Sequence, residues 1–162
     1  MTATSAQVAS AYQAIANGGV HTPLTLVTGC DRADGSTTHV AASEPTRVVS
    51  ESAARATVGI LEEVVTEGWL RPILEIPGYR VAAKTGTAEV ADASGDERIV
   101  SVAGMAPADD PQFVVVVTYV RPDTMKTSAA AAPTFRTIMT QVLKTYRVPP
   151  STQQATAYPL TW

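Results

Sequence analysis

Apolar residues recur with a helical period in three stretches of the chain. The first stretch predicts a helix over residues 5–17, because Thr4 and Gln7 are spaced as a capping box and Gly18-Gly19 follows directly. Its apolar positions, at the i, i+3, i+4 and i+7 spacing of one helix face, are Val8, Ala11, Tyr12 and Ile15. This face is expected to pack on the rest of the protein.

The second and third stretches predict two further amphipathic helices. Ser50 can cap the second helix, whose apolar stripe is Ala54, Val58, Leu61 and Val65. Its glutamates, Glu62, Glu63 and Glu67, are expected to face solvent. The last helix is predicted to hold Pro133 in its first turn, where proline is tolerated. Its apolar stripe is Phe135, Ile138, Met139, Val142, Leu143 and Tyr146.

Three other stretches are typical of strands. They cover residues 79–89, 98–107 and 112–121, and the short connection at 108–111 predicts that the last two form a hairpin. Their nearly continuous apolar residues indicate strands covered on both faces. A shorter strand pair is predicted at 21–27 and 39–42, on either side of a polar turn at 31–38. The predicted fold class is therefore α+β, with an antiparallel sheet covered by helices.

Composition narrows the classes of function. The chain has 162 residues and a net charge of −3, and its 12 basic residues are spread singly, which argues against nucleic-acid binding. Cys30 is the single cysteine and the two histidines are far apart, so no metal or other cofactor is predicted. No segment is long and apolar enough to insert in a membrane. Residues 1–148 are predicted to form one domain, and residues 149–162, with two prolines and no period, a C-terminal tail.

Candidate chemistry lies in the segment Lys84-Thr85-Gly86-Thr87. Side chains alternate along a strand, so Thr85 and Thr87 stand on one side about 7 Å apart, while Lys84 and Gly86 share the other. Two hydroxyls can then reach one carboxylate, and Gly86 lets a ligand or a neighbouring element approach the backbone closely. The segment predicts an anion-binding strand edge, followed by a polar, mobile connection at 90–97 beside the site.

Four matches in the same order carry a resemblance to a known family. They are residues 11–19, which end in Asn-Gly-Gly, Lys84-Thr85-Gly86-Thr87-Ala88, Gly104-Met105-Ala106-Pro107-Ala108-Asp109, and Ala131-Ala132-Pro133. Over most of residues 4–150 the chain resembles the C-terminal half of the transpeptidase domain of penicillin-binding proteins, especially the class B enzymes of division and elongation. Lys-Thr-Gly is one of the three active-site elements of that family.

The resemblance implies roles for these residues. Thr85, Gly86 and Thr87 would bind the terminal carboxylate of a D-Ala-D-Ala stem peptide or of a β-lactam. Lys84 and the backbone N–H of Thr87 would take part in catalysis, the latter as an oxyanion donor. The resemblance also implies a location on the extracytoplasmic face of the bacterial cell membrane, with the parent protein anchored by an N-terminal helix.

The other two active-site elements are missing. No serine has a lysine three positions later, and Asn17, the single asparagine, does not complete a Ser-x-Asn element. The chain is therefore interpreted as the C-terminal part of a longer transpeptidase, inactive alone and dependent on the N-terminal remainder of its own domain. Two alternatives are a non-catalytic module that binds peptides or muropeptides, and a serine β-lactamase or D,D-carboxypeptidase of the same superfamily.

Overall fold

A computed structural model describes residues 2–41, 43–90, 97–153 and 155. The helices are α1 (Ser5–Ala16), α2 (Glu51–Thr66), α3 (Arg71–Leu74) and α4 (Ala132–Thr145), with a 3₁₀ turn at Ser128–Ala130 before α4. The strands are β1 (Val20–His21), β2 (Gly29–Asp31), β3 (Thr37–His39), β4 (Thr46–Arg47), β5 (Ala82–Glu89), β6 (Arg98–Ala106) and β7 (Phe113–Val120). Most of the predicted mobile connection, residues 91–96, lies outside the described residues.

The three predicted helices are confirmed. The capping box of α1 is present, with the Thr4 hydroxyl accepting from the Gln7 N–H and the Gln7 side chain accepting from the Thr4 N–H. Ser50 caps α2, and Pro133 lies in the first turn of α4. Within the predicted stripe of α4, Phe135, Met139 and Leu143 are fully buried, whereas Ile138 and Tyr146 are exposed.

The main sheet is antiparallel, in the order β5-β6-β7, and this confirms the predicted α+β class. It separates two apolar clusters. One contains Val102, Val117 and the buried face of α4, and the other contains Ala82 and Met105 packed with Leu61 of α2 and residues of α1. Strand β6 is buried on both faces, as expected, but Val114 and Val116 of β7 are only half-buried.

Two predictions about the elements around this sheet are wrong. Residues 22–27 form no strand; β1 pairs with β4, and a separate hairpin joins β2 to β3. Cys30 lies on β2 and is exposed. Glu62 and Glu63 are buried rather than solvated, while Glu67 is exposed as expected.

The chain remains attached to the fold as far as Ser151. Its N–H donates to the carbonyl of Gly78, and the Tyr79 hydroxyl donates to the carbonyl of Val148 at 2.7 Å. The division into a domain at 1–148 and a tail at 149–162 stays a prediction. No helix within the described ranges has the length and apolar character that crossing a bilayer requires.

Candidate active-site edge

The segment Lys84–Thr87 lies in β5 at one edge of the main sheet. Strand β5 pairs with β6 on one side, and no other described strand pairs with it. An edge strand keeps a row of N–H and C=O groups that have no partner within the sheet. The segment is therefore placed where an extended ligand could bond to the backbone.

The two faces of this edge follow the predicted alternation. Thr85 and Thr87 are paired with Val102 and Val100, whereas Lys84 and Gly86 are paired with Ala103 and Ser101. Directly paired residues share a face in an antiparallel sheet, so the two threonine hydroxyls stand on the same side. Lys84 and Thr87 are exposed, and Thr85 and Gly86 are half-buried.

The Lys84 ammonium carries the positive charge of this edge. Its Nζ donates to the carbonyl of Thr85 at 3.0 Å, and within the described part of the chain it forms no ion pair with a carboxylate. The acidic group at the end of β5, Glu89, lies 3.3 Å from Arg98 instead. No described carboxylate neutralises the charge of Lys84, and a cation in this position can attract an anion.

Gly86 has a close neighbour that the sequence did not identify. A Cβ atom at this position would lie 2.7 Å from the Oγ of Ser101 on β6. The sequence predicted that a ligand or a neighbouring element comes close to the backbone at this glycine. In the structure, the side chain of Ser101 on the adjacent strand is such a neighbour. Because Gly86 has no side chain, β5 can pair with β6 while the Ser101 hydroxyl occupies the space beside the glycine.

A buried ion pair lies just before β5 and was missed from the sequence. Arg80 donates from Nε and Nη2 to the two carboxylate oxygens of Glu62, each at 2.6 Å. The Glu62 side chain is 4% exposed and that of Arg80 is 20% exposed. These hydrogen bonds, assisted by the nearby charge of Asp109, raise the pKa of the Arg80 guanidinium above its ordinary value.

A signal for this pair was present in the helix pattern. Glu62 is four residues after Val58 and three before Val65, so it belongs to the apolar face of α2 rather than to the opposite one. A carboxylate on such a face needs a partner, because burying an unpaired charge is costly. Arg80 is that partner, but no spacing in the sequence connects the two residues.

A cavity of about 500 Å³ lies beside the ion pair. Its lining includes Glu62, Arg80 and Asp109, and does not include the predicted site residues Lys84 to Thr87.

The described residues contain no group of three or more His, Cys, Asp or Glu side chains placed to hold a metal ion. The groups that the Lys84–Thr87 segment itself presents are two hydroxyls, one ammonium and backbone groups.

Comparisons with known proteins show which family the chain resembles over most of its length. The family described as penicillin binding protein transpeptidase domain matches residues 1–140. Penicillin-binding protein PbpB of Mycolicibacterium smegmatis is 32% identical over 93% of the chain and 26% of its own length. Peptidoglycan D,D-transpeptidase FtsI of Escherichia coli K12 is 34% identical over 91% of the chain and 24% of its own length. The chain thus spans about a quarter of the length of these relatives.

Solved structures of penicillin-binding proteins and related enzymes have the same fold as this chain over more than nine-tenths of its length. A peptidoglycan synthetase from Bifidobacterium adolescentis matches with a TM-score of 0.85 and 32% identity, over 96% of this chain and 29% of that one. Penicillin binding protein 3 from Mycobacterium tuberculosis, in complex with aztreonam, matches with a TM-score of 0.80 and 31% identity, over 92% of this chain and 36% of that one.

Proposed function

The chain belongs to the penicillin-binding protein transpeptidase family, and we propose that it supplies the substrate-recognition strand of a peptidoglycan D,D-transpeptidase. The observation that carries the proposal is the exposed β5 edge, where Lys84 has no carboxylate partner among the described residues and Thr85 and Thr87 share a face. The relatives that match over nine-tenths of the chain support it, since their names describe peptidoglycan transpeptidases and penicillin-binding proteins.

In this proposal the edge binds an anionic peptide end. The hydroxyls of Thr85 and Thr87 donate hydrogen bonds to the terminal carboxylate of a D-Ala-D-Ala stem peptide, or to the equivalent group of a β-lactam. Lys84 raises the local positive potential and bonds to the serine of the Ser-x-Asn element. The peptide adds alongside the open edge of β5 through main-chain hydrogen bonds, as in other cases of strand addition.

The reaction is acyl transfer through a serine that this sequence does not contain. The serine Oγ attacks the carbonyl of the penultimate D-alanine, its proton passes to the leaving amine, and the terminal D-alanine departs. An amine of a second stem, or water, then attacks the ester and releases the serine. The N–H of Thr87 stabilises the oxyanion, and removing one such donor typically lowers the rate by about 10²- to 10³-fold.

The partners of the chain follow from this chemistry. They are the peptidoglycan stem peptide, β-lactams and the N-terminal remainder of its own transpeptidase domain, which would carry the Ser-x-x-Lys and Ser-x-Asn elements. The place of action is the extracytoplasmic face of the bacterial cell membrane, where peptidoglycan is assembled. No cofactor is required for the acyl transfer.

Labelling with a fluorescent penicillin tests the proposal. The chain alone should form no covalent adduct, whereas a mixture with the preceding segment of its parent should be acylated. Lys84→Ala should lower that acylation about 10²-fold or more, because the Lys84–Thr87 segment loses its cation. Lys144→Ala is the matched control, since Lys144 is an exposed lysine on α4, and it should leave the rate unchanged.

Each contrary outcome points to a different error. A stoichiometric adduct on a serine of the chain alone would show that the nucleophile is present. Acylation of the Lys84→Ala mixture at the unsubstituted rate would show that Lys84 is misassigned. Reversible binding of D-Ala-D-Ala peptide with no acylation in the mixture would favour a non-catalytic binding module. Rapid deacylation by the intact parent would favour a β-lactamase or carboxypeptidase.

A further inference from the structure

Among the described strands β5 pairs with β6 alone, so the contacts at its ends help to hold it in place. The described sheet bonds it to β6, while the edge that carries Lys84 is open. A ligand that forms main-chain hydrogen bonds with such an edge requires the strand to have a fixed position, because hydrogen bonds weaken steeply when their distance or angle departs from the optimum. Besides the pairing with β6, the position of β5 depends on the contacts just before its first residue, Ala82.

The C-terminal segment makes these contacts through Ser151. The Ser151 hydroxyl accepts from the N–H of Arg80 at 3.0 Å and donates to Oδ1 of Asp109 at 2.7 Å. The backbone N–H of Ser151 donates to the carbonyl of Gly78 at 2.9 Å. One residue thus connects the entry of β5 to the turn between β6 and β7.

Arg80 forms hydrogen bonds with three other parts of the fold. Its side chain binds Glu62 of α2, its N–H binds Ser151, and its carbonyl accepts from the N–H of Ala108 at 2.8 Å. The residues between Arg80 and Lys84 are buried, with 3% exposure for Val81 and none for the two alanines that follow. A displacement of Arg80 would therefore be transmitted along the strand over the roughly 13 Å to Lys84.

We propose that Ser151 is a positioning residue for the Lys84–Thr87 edge. Its hydroxyl ties the main chain at Arg80 to Asp109 and so sets where β5 lies relative to β6 and α2. This proposal rests on the proposed function only in what the edge binds. Ser151 is not part of the Lys84–Thr87 segment and acts through the backbone of Arg80.

Amide hydrogen exchange on this chain tests the positioning directly. Ser151→Ala should speed exchange of the protected amides of β5 about tenfold, the effect expected from losing two hydrogen bonds, while the amides of α4 keep their rates. Ser151→Thr, which retains the hydroxyl, should restore the β5 rates to within about twofold. Ser36→Ala is the matched control, because Ser36 also donates to an aspartate, Asp34, but on the exposed β2–β3 hairpin.

Three results of the exchange experiment would overturn the proposal. One is an unchanged β5 in Ser151→Ala, and another is an equal increase in β5 and α4, which would mean a general loss of stability. The third is fast exchange of the β5 amides already in the unsubstituted chain, because β5 would then have no fixed position for Ser151 to maintain.

Penicillin acylation in the mixture with the preceding segment connects the positioning to the site. Ser151→Ala should lower the second-order acylation rate about tenfold, with rescue by Ser151→Thr and no effect of Ser36→Ala. An unchanged rate in Ser151→Ala would refute the role of Ser151 while leaving the proposed function intact. If the unsubstituted mixture is not acylated, the proposed function fails, and the exchange rates of β5 alone decide the role of Ser151.

Discussion

Removing one member of the buried pair between Glu62 and Arg80 should destabilise the protein severely. In Arg80→Met the Glu62 side chain, which is 4% exposed, would lose both 2.6 Å hydrogen bonds and the cation that pairs with it. Breaking a buried ion pair in this way costs about 3–5 kcal/mol. The substitution keeps most of the aliphatic volume of the arginine, so the loss is one of charge compensation rather than of packing.

The double variant Glu62→Leu, Arg80→Met should be much more stable than Arg80→Met alone. Replacing both partners by apolar side chains leaves no uncompensated charge, and the measured outcome of such replacements is often close to neutral. A double-mutant cycle should therefore give a large coupling between the two positions. Urea unfolding followed by far-UV circular dichroism provides the free energies of unfolding.

An exposed ion pair of the same helix serves as the control. Arg55 pairs with Glu51 four residues earlier, and their side chains are 76% and 56% exposed. Solvent screens such pairs, so Arg55→Met should cost no more than about 0.5 kcal/mol. The reasoning is refuted if Arg80→Met costs as little as Arg55→Met, or if the double variant is no more stable than Arg80→Met.

Two further predictions concern packing and pH. Gly104→Ala places a methyl carbon 2.7 Å from the carbonyl oxygen of Ala82 and should lower the free energy of unfolding, measured in urea, by about 1–3 kcal/mol. In Gly86→Ala the methyl group meets a single serine hydroxyl that can rotate, so the loss should be smaller. Equal losses in the two variants would contradict this reasoning. Hydrogen bonds from Ser36 lower the pKa of the Asp34 carboxyl below its ordinary 3.8, so the stability they contribute is present above that pH and is lost as pH falls through the folded-state pKa. An NMR titration should show the pKa of Asp34 rising in Ser36→Ala, and an unchanged value would contradict the assignment.

Much of the fold was predictable from local patterns. The helical periods and caps identified α1, α2 and α4, and the strand-like runs identified β5, β6 and β7, because these signals depend on residues a few positions apart. Short elements were less predictable. Strands β1 and β4 have two residues each and exist because they pair with each other, which no local pattern records.

The candidate site divides in the same way. The Lys84–Thr87 segment, its strand conformation and the alternation of its side chains followed from the sequence. The residues of the segment predicted a strand edge, and the order β5-β6-β7 shows which side of β5 is open in the described sheet. The closeness of Ser101 to Gly86 likewise required the register of β5 on β6.

The amino-acid sequence by itself determined most of the segments that are helical or extended, and which one carries the cation and hydroxyls of the proposed anion-binding edge. Only the tertiary structure decided which polar groups are buried and what compensates them. Glu62 and Arg80 are 18 residues apart, and Arg80 and Ser151 are 71 apart. Their contacts depend on how α2, β5 and the C-terminal segment pack together, and packing is a property of the whole chain rather than of any stretch of it.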